Sequence, residues 1–251
     1  AIARSQNEIK KANITFTNTA VAVVSVAVVF FLIGLSLSEP MTSMLGADEA
    51  VFDMCNTYLK VILLFAPMFM LNNLLLCFVR NDGAPQLSMM AMIGGSLSNV
   101  VLDYIFIFPL KMGIFGAVLA TGLAPIVSML ILSPFFFQKK NHFRPSKCQV
   151  SPRLVRGVVS TGVPSLITEV SSGIVIIVFN TIILGLQGNI GVAAYGVIAN
   201  LSLVVIAIYT GIAQGIQPIM SSSYGAGNHA EVKLILRYAL TSMVILSALL
   251  Y

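Results

Sequence analysis

From Val170 to Ala230 the chain runs sixty-one residues without an Asp, Glu, Lys or Arg. Soluble domains carry roughly 25% charged residues and do not leave such gaps. An apolar run of about 18 residues is already long enough to cross a bilayer. Shorter charge-free windows cover 12–38, 61–79, 83–102 and 112–138, and over all 251 residues the charged share is only 9%. In lipid the backbone must satisfy its own polar groups, as a helix or a closed barrel, and these runs lack the two-residue alternation of barrel strands. The chain reads as an all-α polytopic membrane protein, with membrane lipid as a partner. Disorder, a secreted disulfide scaffold and a soluble nucleic-acid binder are excluded, so no nucleic-acid partner is expected. The three cysteines, Cys55, Cys77 and Cys148, show no metal-ligand spacing.

Polar, Gly-rich and Pro-rich interruptions mark spans near 14–37, 51–79, 87–108, 114–137, 157–184, 192–218 and 234–251, the last incomplete. If they alternate in direction, twelve of the fourteen Lys and Arg fall on one side. Lys111 lies on the other side. Lys60 lies within a helix, where its long stem suits snorkelling to the outer interface. The positive-inside rule makes the basic side cytoplasmic. The connection Gln138 to Arg156 has six basic residues and no acid. It is expected to be a mobile cytoplasmic loop over 138–156, joining residues 1–137 to residues 157–251.

A weak internal repeat adds to this picture. Ala3, Glu8, Ile9 and Lys10 match Ala226, Glu231, Val232 and Lys233 at an offset of 223 positions, each copy leading into a helix. Six helices lie between the copies, which restores the same orientation. Parallel six-helix repeats are a transporter plan. They imply an intact protein of twelve helices, on the order of 450 residues. This chain would hold helices three to eight and part of nine: the later part of one lobe in 1–137 and the start of the second in 157–251.

Ionisable groups inside spans cost about 2.5–3.5 kcal/mol on insertion scales and mark function by default. Asp103 has Asn99 one turn before it, on the same helix face. The chain turns at Pro109 to Gly113 and the next helix passes through Ala117 and Thr121. At 1.5 Å rise per residue, Asp103 and Thr121 both lie roughly 10 Å from the turn. A carboxylate, an amide oxygen, a hydroxyl and a nearby carbonyl suit a hard cation, Na⁺ included, or a proton. Glu169, near the centre of the fifth span, follows Pro164, which frees a carbonyl and weakens the helix. It is a candidate substrate or proton site. Asn180 and Asn200 lie on the same and the following span. They are candidate members of that site, or interhelical hydrogen-bonding groups.

The stretches Arg80-Asn81-Asp82-Gly83-Ala84-Pro85, Asn99 to Phe108, Met112 to Thr121, Gly191 to Gly196 and Gln214 to Pro218 together resemble the MATE (multidrug and toxic compound extrusion) family. The resemblance extends over essentially all of the chain. It implies a twelve-helix fold of two six-helix lobes around a central cleft, in a bacterial plasma membrane. It implies export of amphipathic organic cations driven by inward Na⁺ or H⁺, with no other cofactor, by a monomer. It also implies a cation site at Asn99, Asp103, Ala117 and Thr121, and a glutamate on the helix that carries Glu169.

Two other readings compete. A lipid-linked sugar flippase of the same superfamily needs a more cationic cleft, whereas few basic residues lie within these spans. A seven-helix receptor conflicts with a cytoplasmic start and with the repeat. No nucleophile–base element, His pair or HExxH is present, so an enzyme is not expected.

Overall fold

A computed structural model describes residues 2–6, 8–45, 49, 51–137, 143, 146 and 151–250. The described residues are helical almost throughout. A four-residue turn, α1 (Ile2–Ser5), is followed by α2 (Ile9–Ser36), α3 (Ser38–Met44), α4 (Phe52–Asn81), α5 (Pro85–Ile107), α6 (Gly113–Phe137), α7 (Pro152–Gly225) and α8 (His229–Leu250). Helix α7 is broken inside, and seven helical segments among the described residues are then long and apolar enough to cross a membrane. The chain is an all-α polytopic membrane protein.

The backbone divides into two compact units, Glu8–Val150 in one and Ala1–Asn7 with Ser151–Tyr251 in the other. In the first, α2 packs on α4, α4 on α6, and α5 on α6. These helices are apolar nearly all round, so what sets their spacing is the small residues between them. A Cβ on Gly122 would lie 2.5 Å from the Phe65 ring, and one on Gly34 would lie 2.6 Å from Leu63 Cβ. Glycine at both positions lets α4 press close to α6 and to α2. The core sits at the end where α2 begins and α4 and α6 finish, with Phe16, Leu74, Leu76, Val79, Ala91, Leu132 and Phe135 buried together. Ser88 at the start of α5 donates to the Leu76 carbonyl, 3.2 Å away.

The second unit turns on Gly188, whose φ of 63° and ψ of −155° interrupt α7. That region of backbone space is essentially open to glycine alone. The arms on either side are Pro152–Ile183 and Ala194–Gly225. Phe179 and Tyr195 would stand about 24 Å apart along a straight helix, yet their rings stack at 5.6 Å. The arms therefore fold back on each other. The sequence placed an uncharged connection at Gly185 to Gly191. The backbone instead stays helical on both sides of one residue. Tyr209 and Ser247 hydrogen-bond between the later arm and α8.

The two repeat copies differ locally. Asn228 and Glu231 cap α8 reciprocally: Glu231 N donates to Asn228 Oδ1 at 3.2 Å, and Asn228 Nδ2 donates to Glu231 Oε2 at 2.9 Å. Glu8 makes no such cap and pairs instead with Lys11 at 2.8 Å. Most of the 138–156 connection, including Lys139, Lys140, Arg144, Lys147 and Cys148, lies outside the described residues. Its last part is not loop, because Pro152 opens α7 five residues before the expected span.

Candidate functional site

The turn between α5 and α6 is tight because Leu110 N donates to the Ile105 carbonyl and Met112 N to the Phe106 carbonyl. Lys111 and Gly113 complete it with positive φ. Gly116 then sits against Phe106. Antiparallel pairing from that contact brings Asn99 level with Thr121. Asn99 Nδ2 faces Thr121 Oγ1 at 3.5 Å, the outer limit of a hydrogen bond. The Thr121 hydroxyl in turn donates to the Ala117 carbonyl at 3.0 Å. Three of the four expected ligating residues are thus joined in one chain of polar contacts.

Asp103, the fourth expected residue, is not part of that chain of polar contacts. Its Oδ1 is buried and has no hydrogen-bond partner among the described residues. A carboxylate oxygen shielded from solvent without a donor facing it is costly. A cation or a proton at that oxygen removes the cost. Ala117 is less free than the sequence suggested, because its carbonyl already accepts the Thr121 proton. A cation using both oxygens requires the hydroxyl to turn its hydrogen away, which leaves both facing the ion as acceptors. No cluster of three or more His, Cys, Asp or Glu with metal-holding geometry occurs among the described residues. Apart from the Asn99 amide nitrogen, the polar atoms gathered at Asn99, Thr121 and the Ala117 carbonyl are oxygens, the donor type that hard ions take.

The second candidate group is not gathered into a site within its own unit. Glu169 and Asn200 are exposed, and Asn180 is half-buried. Glu169 and Asn180 are eleven residues apart on one arm, so they share a face about three turns apart and cannot touch one ion together. Asn200 gives its amide to the Gly196 carbonyl of its own helix at 2.8 Å. Lys60 is exposed on α4. Sequence reasoning passed over Asn56 and Asn72 on α4 and Ser128 on α6. Each has a buried side-chain oxygen without a partner among the described residues. The signal available was Asn72 standing in the charge-free window 61–79.

The MatE family description matches residues 3–105 and 164–251. The chain belongs to the MatE family. Asn99, Asp103 and Glu169 lie inside the matched segments of the MatE chain, while Ala117 and Thr121 lie between them. Among curated relatives, the multidrug export protein MepA of Staphylococcus saprophyticus is 27% identical over 88% of this chain and 49% of its own length. MepA of Staphylococcus aureus is 25% identical with the same coverage. The chain spans about half the length of these relatives. Among solved structures, a MOP superfamily transporter from Pyrococcus furiosus superposes with a TM-score of 0.85 at 24% identity, covering 96% of this chain and 54% of that one. The MATE multidrug transporter DinF-BH gives 0.85 at 25% identity with the same coverage. This likeness gives the MatE chain part of the twelve-helix, two-lobe MATE fold. Seven apolar spans and bacterial relatives make it a multi-pass protein of the bacterial plasma membrane.

Proposed function

We propose that this chain is part of a secondary active exporter of amphipathic organic cations, working by antiport against Na⁺ or H⁺. The observation that carries the reading is the buried, unpartnered Oδ1 of Asp103 beside the Asn99–Thr121–Ala117 contacts. Antiport needs a group whose ion or proton occupancy changes once per cycle and biases the protein between two arrangements. Asp103 has that character. One of its carboxylate oxygens is buried without a partner among the described residues, and its neighbours offer neutral oxygens. Binding an ion there removes a desolvation cost that differs between arrangements. The names of the staphylococcal relatives support drugs over lipid-linked sugars as cargo. In this reading Glu169, exposed in the unit that holds it, attracts the cationic substrate, and Asn180 and Asn200 contribute neutral hydrogen bonds along the path.

The test is accumulation of a fluorescent cation inside everted membrane vesicles, where cellular export becomes uptake, driven by a Na⁺ or a pH gradient. Asp103→Asn keeps the shape and removes the charge. Losing a charge-assisted contact is worth about 1.5–3 kcal/mol, so ion-driven efflux is expected to fall at least about tenfold with normal membrane insertion. Glu169→Gln is expected to raise the substrate concentration needed and to leave the ion dependence intact. Unchanged ion dependence in Asp103→Asn would reduce that residue to a structural bridge.

A further inference from the structure

The connection after α6 is polar and basic, and its one aromatic residue is Phe143. That side chain is 4% exposed. Its ring lies 4.7 Å from Phe16 at the start of α2, 5.3 Å from Phe78 at the end of α4, and 5.8 Å from Phe136 at the end of α6. Phe16 and Phe78 also meet edge-on at 4.8 Å. Three residues later the backbone is fastened again, because Ser146 N donates to Thr17 Oγ1 at 3.0 Å. The Thr17 proton is spent on the Asn13 carbonyl at 2.9 Å. Its oxygen is therefore an acceptor toward Ser146, whose own hydroxyl stands 3.4 Å away. Phe16 and Thr17 are neighbours on α2, so ring and hydroxyl grip the connection from one helical turn.

We infer that residues 143 and 146 form a built-in anchor, which fastens the α6–α7 connection to the base of the α2–α4–α6 bundle. The anchor acts as a strap. Measured from Phe137, fifteen residues lead to Pro152 and could span roughly 50 Å fully extended. Measured from Ser146, six residues remain, with a reach of about 20 Å. Phe143 also ties together the ends of three helices, so a pull on the connection is transmitted to the bundle as a whole. This rests on packing within one unit and is independent of what the protein transports.

Trypsin reads the anchor directly in the whole chain in detergent micelles. The Arg144–Pro145 bond resists trypsin, which leaves Lys147–Cys148 as the reporter immediately after Ser146. Lys60–Val61, inside α4, reports unfolding of the bundle. Cleavage of a folded chain follows the population of locally opened states. Phe143→Ala is expected to speed cutting at Lys147 at least about tenfold, with Lys60 unaffected. Thr17→Val, which keeps the shape and removes the acceptor, is expected to speed it about threefold. If Phe143→Ala does not accumulate, Thr17→Val decides, with labelling of Cys148 by a thiol reagent as the second readout. Equal rates at Lys147 in all three proteins overturn the anchor. So does a parallel rise at Lys60, which would mean that Phe143 serves only general core packing.

Discussion

At Thr121 a single hydroxyl decides whether two helices offer oxygens or hydrogens to an ion. With its proton on the Ala117 carbonyl, Thr121 is turned to accept from Asn99, so these neutral groups are satisfied among themselves while Asp103 Oδ1 is left without a partner among the described residues. Thr121→Ser keeps the oxygen, whereas Thr121→Ala removes it. Loss of one neutral ligand is worth about 0.5–1.5 kcal/mol. Ion affinity, measured as the Na⁺ or H⁺ concentration giving half-maximal efflux, should weaken about three- to tenfold in Thr121→Ala. Thr121→Ser should stay near wild type. Equal losses in both would trace the effect to the methyl group and its packing. Asn99 and Asp103 drew attention because a polar pair one turn apart stands out in an apolar span, and equal distance from a turn singled out Thr121, whose contact with Asn99 the fold contains. The engagement of Ala117 was not legible, since every residue has a carbonyl and sequence does not show which one a hydroxyl takes. Asn72 and Ser128 escaped for a related reason. Burial of one amide or hydroxyl oxygen depends on which face of the helix meets its neighbour, and apolar flanks on all sides hide that face.

Between elements, the spacing of α4 and α6 rests on Gly122. The position is buried, and an added Cβ would meet three atoms of the Phe65 ring within 2.9 Å. Gly122→Val should therefore overpack the α4–α6 interface at a cost of about 1–3 kcal/mol. This would be read as a lowered unfolding midpoint in detergent. Phe65→Leu, introduced on the Gly122→Val background, should recover part of it, and a double-mutant cycle isolates the coupling. Additive losses would show that the two residues do not share the contact. The long helices were readable from length and apolarity alone. The smaller features were not. Helix α3 is seven residues long and contains Pro40, so it carries too little periodicity to register. The bend at Gly188 was blurred because Gly185, Gly188 and Gly191 all stand in the same uncharged stretch, and only the fold selects which one takes positive φ. Phe143 reads as a stray aromatic in a basic loop until Phe16, Phe78 and Phe136 close around it.

On the scale of the whole molecule, the basic residues predict one orientation, and the chain carries its own reporters for it. Helix α4 has thirty residues and is about 45 Å long, against a hydrocarbon core of about 30 Å, so its ends reach the interfaces. Cys55 stands near its first turn and Cys77 near its last, and both are exposed. Arg80, Lys10 and Lys11 are placed with the Cys77 end by the antiparallel packing that sets Phe16 against Phe78. Positive charge favours the cytoplasmic face, so Cys55 should face outward and Cys77 inward. A membrane-impermeant thiol reagent applied to intact cells should label Cys55 and spare Cys77 and Cys148. After permeabilisation, Cys148 should react as well. Single-cysteine variants, made by changing the other two to Ser, assign each signal. The reciprocal pattern, with Cys148 labelled from outside and Cys55 protected, would invert the topology. It would also turn the Asp103 end of α5, which lies at the Cys55 side of the bundle, toward the cytoplasm.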